Sequence, residues 1–286
     1  MALEQDERSG PRVGDRRSRI LGGPGGARST AIAAISTVVV FGLLVLVVVN
    51  APNWPEVRES FFNWQVFRNS FPDIAEAFKT NVKLFLVAEV FILAFALVLA
   101  VLRGLPGPVF FPLRVLSTAY TDVFRGIPTI LLVYLLGFGI PGLQLSGVPK
   151  SQFFWATVAL VLVYSAYVAE VYRAGIESIH PSQDAAARSL GLTHTQSLRY
   201  VVVPQAVRRV IPPLLNDFIG LQKDTALVAI LGVVEAFRQS QIEVAGSFNY
   251  TPLLATALLF LLLTIPLTRF TDWLIARNRR RELARA

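Results

Sequence analysis

The sequence predicts an all-α fold, a polytopic membrane bundle of about six transmembrane helices, on three observations. Hydrophobic residues make up 53% of the 286-residue chain and charged residues only 16%, too little polar surface to cover a soluble domain of this length. Apolar runs long enough to cross a bilayer recur along the chain, separated by polar or arginine-bearing stretches. Both ends are basic, with Arg8, Arg12, Arg16, Arg17, Arg19 and Arg28 before the first run and Arg277, Arg279, Arg280, Arg281 and Arg285 after the last. The positive-inside rule then puts both ends in the cytoplasm, which requires an even number of spans in a multi-pass protein of the cell membrane.

Residues 1–30 set their arginines among Gly, Pro and Ser and cannot bury a core, which predicts a disordered cytoplasmic arm. Residues 31–49 form the first apolar run. It starts late and ends in Asn50-Ala51-Pro52 without a clear small-residue cleavage site, so it reads as a retained helix rather than a signal peptide. Residues 50–78 carry Glu56, Glu59, Asp73 and Glu76 against Arg58 and Arg68 and read as an outer polar loop, with Trp54 and Trp64 as interfacial anchors. A second span over 80–102 returns the chain to Arg103.

Residues 109–140 are less regular, because Pro112, Arg114, Asp122, Arg125 and Pro128 interrupt the apolar pattern. Pro128 is expected to break or kink the helix there. The fourth span, 153–172, carries Tyr164, Ser165, Tyr167 and Glu170 and ends at Arg173. An ionisable group inside a span is costly unless paired or wetted, so Glu170 either faces an aqueous path or sits at headgroup level paired with Arg173.

A fifth span over 206–233 is entered by Arg208 and Arg209 and is expected to kink at Pro212-Pro213. On it Asn216, Gly220 and either Lys223 or Asp224 recur at helical spacing. Such a stripe faces a pore or a subunit seam, although polar residues also hold helices together. Residues 235–249 read as an outer polar loop, 252–275 as the sixth span and 277–286 as a basic cytoplasmic tail.

Several chemistries are excluded or disfavoured. With no cysteine there is no disulfide, thiolate nucleophile or cysteine metal site, and His180 and His194 are too few for a metal centre. The net charge of +8 lies next to spans rather than on a basic face interleaved with aromatics, which argues against nucleic acid. No nucleotide loop is present: residues 142–150 have two glycines at a tempting spacing, but Val148 and Pro149 intervene before Lys150. The expectation is a chain without catalytic residues, metal or cofactor, with any ATP handled by another protein.

One stretch outside the spans reads as folded. In residues 183–204, QDAAARSLGLTHTQSLRYVVVP, Asp184 to Leu190 are mostly good helix formers opened by Pro181, and Gly191 stands where a helix would stop. Thr193 and Gln196 have capping-box spacing and open a second short helix, expected to end before Pro204. A positive backbone angle between the two helices would suit Gly191.

Ala185, Ala186 and Ala187, a gap of three, Gly191, a gap of nine, then Val201, Val203 and Pro204 resembles the EAA loop of ABC-importer permeases, the inner-membrane components of binding-protein-dependent transport systems. The flanks GIESIHPSQ and PQAVRRVIPPLLNDFIGLQKDTALV are similar to the polar amino-acid branch, and FRGIPTILLVYLL resembles its F-R-G-T-P element. The resemblance implies a five-helix type I importer core within residues 50–276, with residues 31–49 as an extra N-terminal helix. It implies that loop 177–205, through Asp184, Ala185, Ala186, Ala187, Gly191 and Pro204, meets a cytosolic ATPase dimer. It also implies a second permease subunit, identical or paralogous, an outer solute-binding protein and a polar amino acid as substrate. Glu170, Asn216, Lys223 and Asp224 are the candidates for the translocation path. The family's glutamate falls on Ala185, with only Asp184 beside it.

The alternative is a stand-alone secondary transporter in which Glu170, Asp217 or Asp224 carries a coupling proton. Such folds often repeat one half in the other, and no repeat relates the first three spans to the last three.

Overall fold

A computed structural model describes residues 26–283, which are helical with no strand among them. The predicted disordered arm falls mainly outside the described residues, as do the last three residues of the tail. The chain divides into two compact units, residues 1–59 and 60–286. In the first, α1 (Gly26–Val49) already begins at Gly26, and its apolar side chains are exposed on every side. α2 (Trp54–Phe61) starts the part expected to be a loop.

In the second unit α3 runs unbroken from Trp64 to Gly104. The expected outer loop is therefore helical from Trp64 onward, a correction with a clear physical cause. Asn63 caps the helix, its Oδ1 accepting from the N–H groups of Gln65 and Val66, and Phe67, Phe71, Ile74 and Phe78 recur on one face. That face packs on Ala236, Ala255, Leu259 and Phe260, with Phe78 edge-on to Phe260 at 5.2 Å between centroids.

α4 (Phe111–Gly126) and α5 (Thr129–Tyr134) form a pair bent by 100°. The break lies at Pro128 as expected: Ile127 is extended, the conformation a residue before proline prefers, and Pro128 cannot donate to the preceding turn. A π turn at Leu135–Gly139 and a short turn at Ile140–Gly142 complete this arm.

α6 (Gln152–Glu177) packs on α3 more extensively than any other helix pair does. Ala88 and Ala96 of α3 and Ala156, Ala159, Ala166 and Ala169 of α6 have no exposed surface. Small residues let two backbones approach closely, which is how helices associate where lipid removes the hydrophobic drive between them. Leu84, Ile92, Leu160 and Val163 fill the remaining space.

The polar segment after α6 folds as α7 (Pro181–Ser189) and α8 (His194–Ser197). Pro204 does not end the second helix. The helix widens into a π turn at Leu198–Val202 and runs on as α9 (Val203–Asp224). The wider turn accommodates a residue that has no N–H and whose ring would clash with the carbonyl one α turn back. α9 retains Pro212 and Pro213, ends at Asp224 short of the expected 233, and tightens into a 3₁₀ segment, Thr225–Leu231. The last two helices are α10 (Ala236–Ser247), within the expected outer loop, and α11 (Thr251–Leu283).

Among the described residues four helices are long and apolar enough to cross a membrane, or five if the bent α4–α5 pair is one span. The remaining span of the sequence reading is α9, which bears Arg208, Arg209, Asp217, Lys223 and Asp224 within 22 residues. A helix with that much charge is stable in a bilayer only against other protein or water.

Candidate coupling loop and translocation site

The loop after α6 is stiffened at every junction. His180 caps α7 through a ring nitrogen that accepts from Ser182 N–H, and Pro181 occupies the first helical position. At its other end Gly191 N–H donates to Arg188 and Leu192 N–H to Ala187, the paired bonds of a Schellman ending. Gly191 has φ +88°, so the positive angle expected there is present. Thr193 and Gln196 form a reciprocal capping box, at 2.9 and 3.3 Å.

Within α7 the three alanines divide. Ala187 is buried while Ala185 and Ala186 face outward. Asp184 lies in the first turn, where it complements the helix dipole, with Oδ1 3.8 Å from His194 Nδ1. The knob is fastened to the bundle by Ile179, Val202 and Ala206, which pack together. Arg209 also donates to the Ser178 carbonyl, and Gln205 donates to Gln183 Oε1 at 3.3 Å.

The membrane candidates lie in two groups. Glu170 stands near the end of α6 between two guanidiniums: Arg103 of α3 donates to Oε2 at 2.9 Å and Arg173 Nε to Oε1 at 3.1 Å. Arg173 also pairs with Glu177. The second group lies on α9 and its neighbours. Tyr164 donates to Asp224 Oδ2 at 2.9 Å, and Gly220 leaves room for the same phenol, since a Cβ there would stand 3.2 Å from its oxygen. Asn216 and Lys223, seven residues apart, are exposed. The expected stripe is thus split, one edge turned to α6 and the other outward.

Sequence reasoning missed Glu89, which lies on α3 within electrostatic reach of Asp217. An acid inside an otherwise apolar run was the available signal. Asp217 Oδ2 is buried without a hydrogen-bond partner, and its charge is felt by Arg125 of α4. Arg125 lies over the Tyr167 ring at 5.7 Å. One guanidinium, Arg125, and two carboxylates, Glu89 and Asp217, therefore belong to this part of the bundle.

Just beyond the C-terminal end of α9 a buried lock was also missed. Asn81 of α3 donates to Glu235 Oε2 at 2.8 Å and to Thr225 Oγ1 at 3.1 Å, and accepts from Ala236 N–H at 3.0 Å. Glu235 has no exposed surface and caps α10, accepting from the N–H groups of Phe237 and Arg238. Burial pushes its carboxyl above the usual range, against the pull of these donors. No local pattern pairs residues 154 positions apart.

A charged helix packed along an apolar bundle and continuous with a stiffened polar knob suits a membrane transport component. Comparison with known proteins says which. The family of binding-protein-dependent transport system inner membrane components matches residues 107–280. A probable amino-acid permease protein, YxeN of Bacillus subtilis, is 34% identical over 204 residues, covering 71% of this chain and 90% of that protein. The probable glutamine ABC transporter permease protein GlnM of the same organism is 37% identical over 196 residues, 67% of this chain and 88% of the relative. A crystal structure of an amino acid ABC transporter with histidines superposes with a TM-score of 0.65 at 29% identity, covering 72% of this chain and 94% of that one. The chain belongs to the family of binding-protein-dependent transport system inner membrane components. It is a multi-pass permease subunit of an ABC importer, whose ATPase is a separate chain, and the stand-alone proton-coupled reading falls away.

Proposed function

We propose that this subunit forms half of the path for a polar amino acid, with a second permease copy or paralogue forming the other half. A solute-binding protein delivers the amino acid on the outer face, and a cytosolic ATPase dimer docks on residues 177–205, with both chain termini on the ATPase side. The observation that carries this reading is the knob: a Schellman turn and a capping box hold Ala185 and Ala186 outward on a short helix continuous with charged α9. A surface so stiffened can be pushed without deforming.

The substrate class follows from charge and from the relatives. A zwitterion needs an anionic partner for its ammonium and a cationic partner for its carboxylate, and Asp217 with Glu89 on one side and Arg125 on the other supply both. Asp224 extends this polar surface on the edge of α9 turned to α6, while Asn216 and Lys223 lie on the outward edge. Glu170, tied to Arg103 and Arg173, closes the end of the path nearest the knob as a charge clamp. The amino-acid permeases among the relatives favour the same substrate class.

The test is purification of the tagged chain from its native membrane, identification of co-purifying proteins by mass spectrometry, and uptake of labelled amino acids by vesicles holding the complex. Recovery of an ATPase and ATP-dependent uptake is the expected result. Recovery of the chain alone, with uptake driven by a proton gradient, would overturn the proposal.

A further inference from the structure

An apolar groove of about 720 Å³ opens between the C-terminal half of α3 and the N-terminal half of α9. Leu97, Val101 and Gly104 line one wall, Val203, Val207 and Leu214 the other, and Tyr172 and Ile176 of α6 belong to the same lining. Leu97, Val101, Val203, Val207 and Ile176 are each about half exposed, so the slot has no cover within this unit. Along α9 it extends from residue 203 to 214, about 16 Å at the helical rise. That matches one leaflet of hydrocarbon, about 15 Å. The groove stops at the knob end of the bundle, where Leu105 and Leu198 close its lining.

Charge gathers at that same end. Arg114 donates to the carbonyls of Leu105 and Gly107, at 2.7 and 2.8 Å, and so stands at the rim. Arg199, the chain neighbour of Leu198, is exposed at this end, and Arg208, also exposed, follows Val207 midway along the groove. Arg103 and Arg173 are neutralised by Glu170 and Glu177, whereas Arg114, Arg199 and Arg208 form no ion pair among the described residues. An apolar slot one leaflet deep with two uncompensated guanidiniums, Arg114 and Arg199, at its headgroup end matches one kind of molecule. α1, whose apolar side chains are also exposed, contains no acidic residue to meet those arginines.

We propose that the groove holds an acyl chain of an anionic phospholipid in the leaflet on the knob side, with the headgroup phosphate on Arg114 and Arg199. The probes are dioleoyl phosphatidylglycerol and dioleoyl phosphatidylcholine, added to the purified full-length subunit in mild detergent. Binding is read by native mass spectrometry and by the thermal unfolding midpoint. Phosphatidylglycerol should bind more tightly and raise the midpoint more, while inorganic phosphate alone should do neither. Removing a headgroup arginine should weaken phosphatidylglycerol binding about fivefold, so Arg199→Gln should weaken it about fivefold while Arg208→Gln, midway along the slot, should change it less. Gly104→Leu fills the slot and should abolish the preference for either lipid over detergent. Gly104→Ala, whose Cβ meets nothing within 4 Å, should bind as the wild type does. Equal binding of the two lipids, or normal phosphatidylglycerol binding by Gly104→Leu, overturns the proposal. So does loss of a co-purifying second permease in Gly104→Leu, because the groove is then a subunit seam.

Discussion

The Tyr164 hydroxyl donates to the Asp224 carboxylate at 2.9 Å, tying the middle of α6 to the last residue of α9. Gly220, one turn earlier on α9, keeps the space the phenol needs. A hydrogen bond to a charged group contributes about 1.5–3 kcal/mol. Tyr164→Phe should therefore lower the unfolding midpoint and release the end of α9. Asp224→Asn, which keeps an acceptor, should unfold nearly as the wild type does yet transport more slowly. Uptake by Asp224→Asn at the normal rate and expression would reassign Asp224 to packing.

Glu170 sits between Arg103 and Arg173, so removing its charge leaves two partly buried guanidiniums without their shared partner. Glu170→Gln is expected to reduce uptake while ATP hydrolysis persists, the outcome of the proposed role at the path rather than in ATPase docking. The check is uptake and ATPase activity on one vesicle preparation. An unchanged ratio of the two would make Glu170 a structural anchor only.

Gly191 has φ +88°, and a β-branched residue there costs on the order of 1–3 kcal/mol of backbone strain. Gly191→Val should let the complex assemble but uncouple substrate-stimulated ATPase activity from transport. Ala185→Glu restores the family's glutamate at an exposed position and should be near neutral. If Gly191→Val retains both assembly and stimulated activity, the knob does not couple the two.

Asn81→Leu removes a donor from buried Glu235 and the acceptor of Ala236 N–H at once. The unpaired Ala236 N–H costs about 1–3 kcal/mol, and Glu235, still held by Phe237 and Arg238 N–H, loses one of its three donors, so the change should be clearly destabilising. Pairing it with Glu235→Gln should recover part of the loss, since an amide is cheaper to leave buried than a carboxylate. Thermal unfolding of the two variants decides it: no recovery in the double variant would mean that the charge is not the source of the cost.

The chain has no cysteine, so labelling is clean. Single cysteines in place of Gln5 and Ala284 should resist an impermeant maleimide in intact cells and react after permeabilisation. Reaction in intact cells at either position would contradict the even count of spans.

What was legible in the sequence is what short-range chemistry dictates. Pro128 broke its helix because the restriction on the preceding residue is local, and Gly191 and the Thr193–Gln196 pair formed the turns their spacing predicts. Residues 64–78 were misread because their charges were weighed before their period: Phe67, Phe71, Ile74 and Phe78 already marked a buried helical face. Pro204 was misread because an α-helix forbids it while a π turn, which has no sequence signature of its own, admits it. The Asn81–Glu235 and Tyr164–Asp224 pairs join distant segments and were beyond any local pattern.

The π turn at Leu198–Val202 has a geometrical consequence for the whole subunit. Because helix continues through it, the 31 residues from His194 to Asp224 follow one unbroken helical path about 45 Å long. Angular register is therefore conserved from one end to the other. A single residue inserted beside Pro204 would turn the far end by about 100° and carry Asp224 away from the Tyr164 phenol. The phase of this path, set at the wide turn, decides which side chains of α9 face the interior of the bundle.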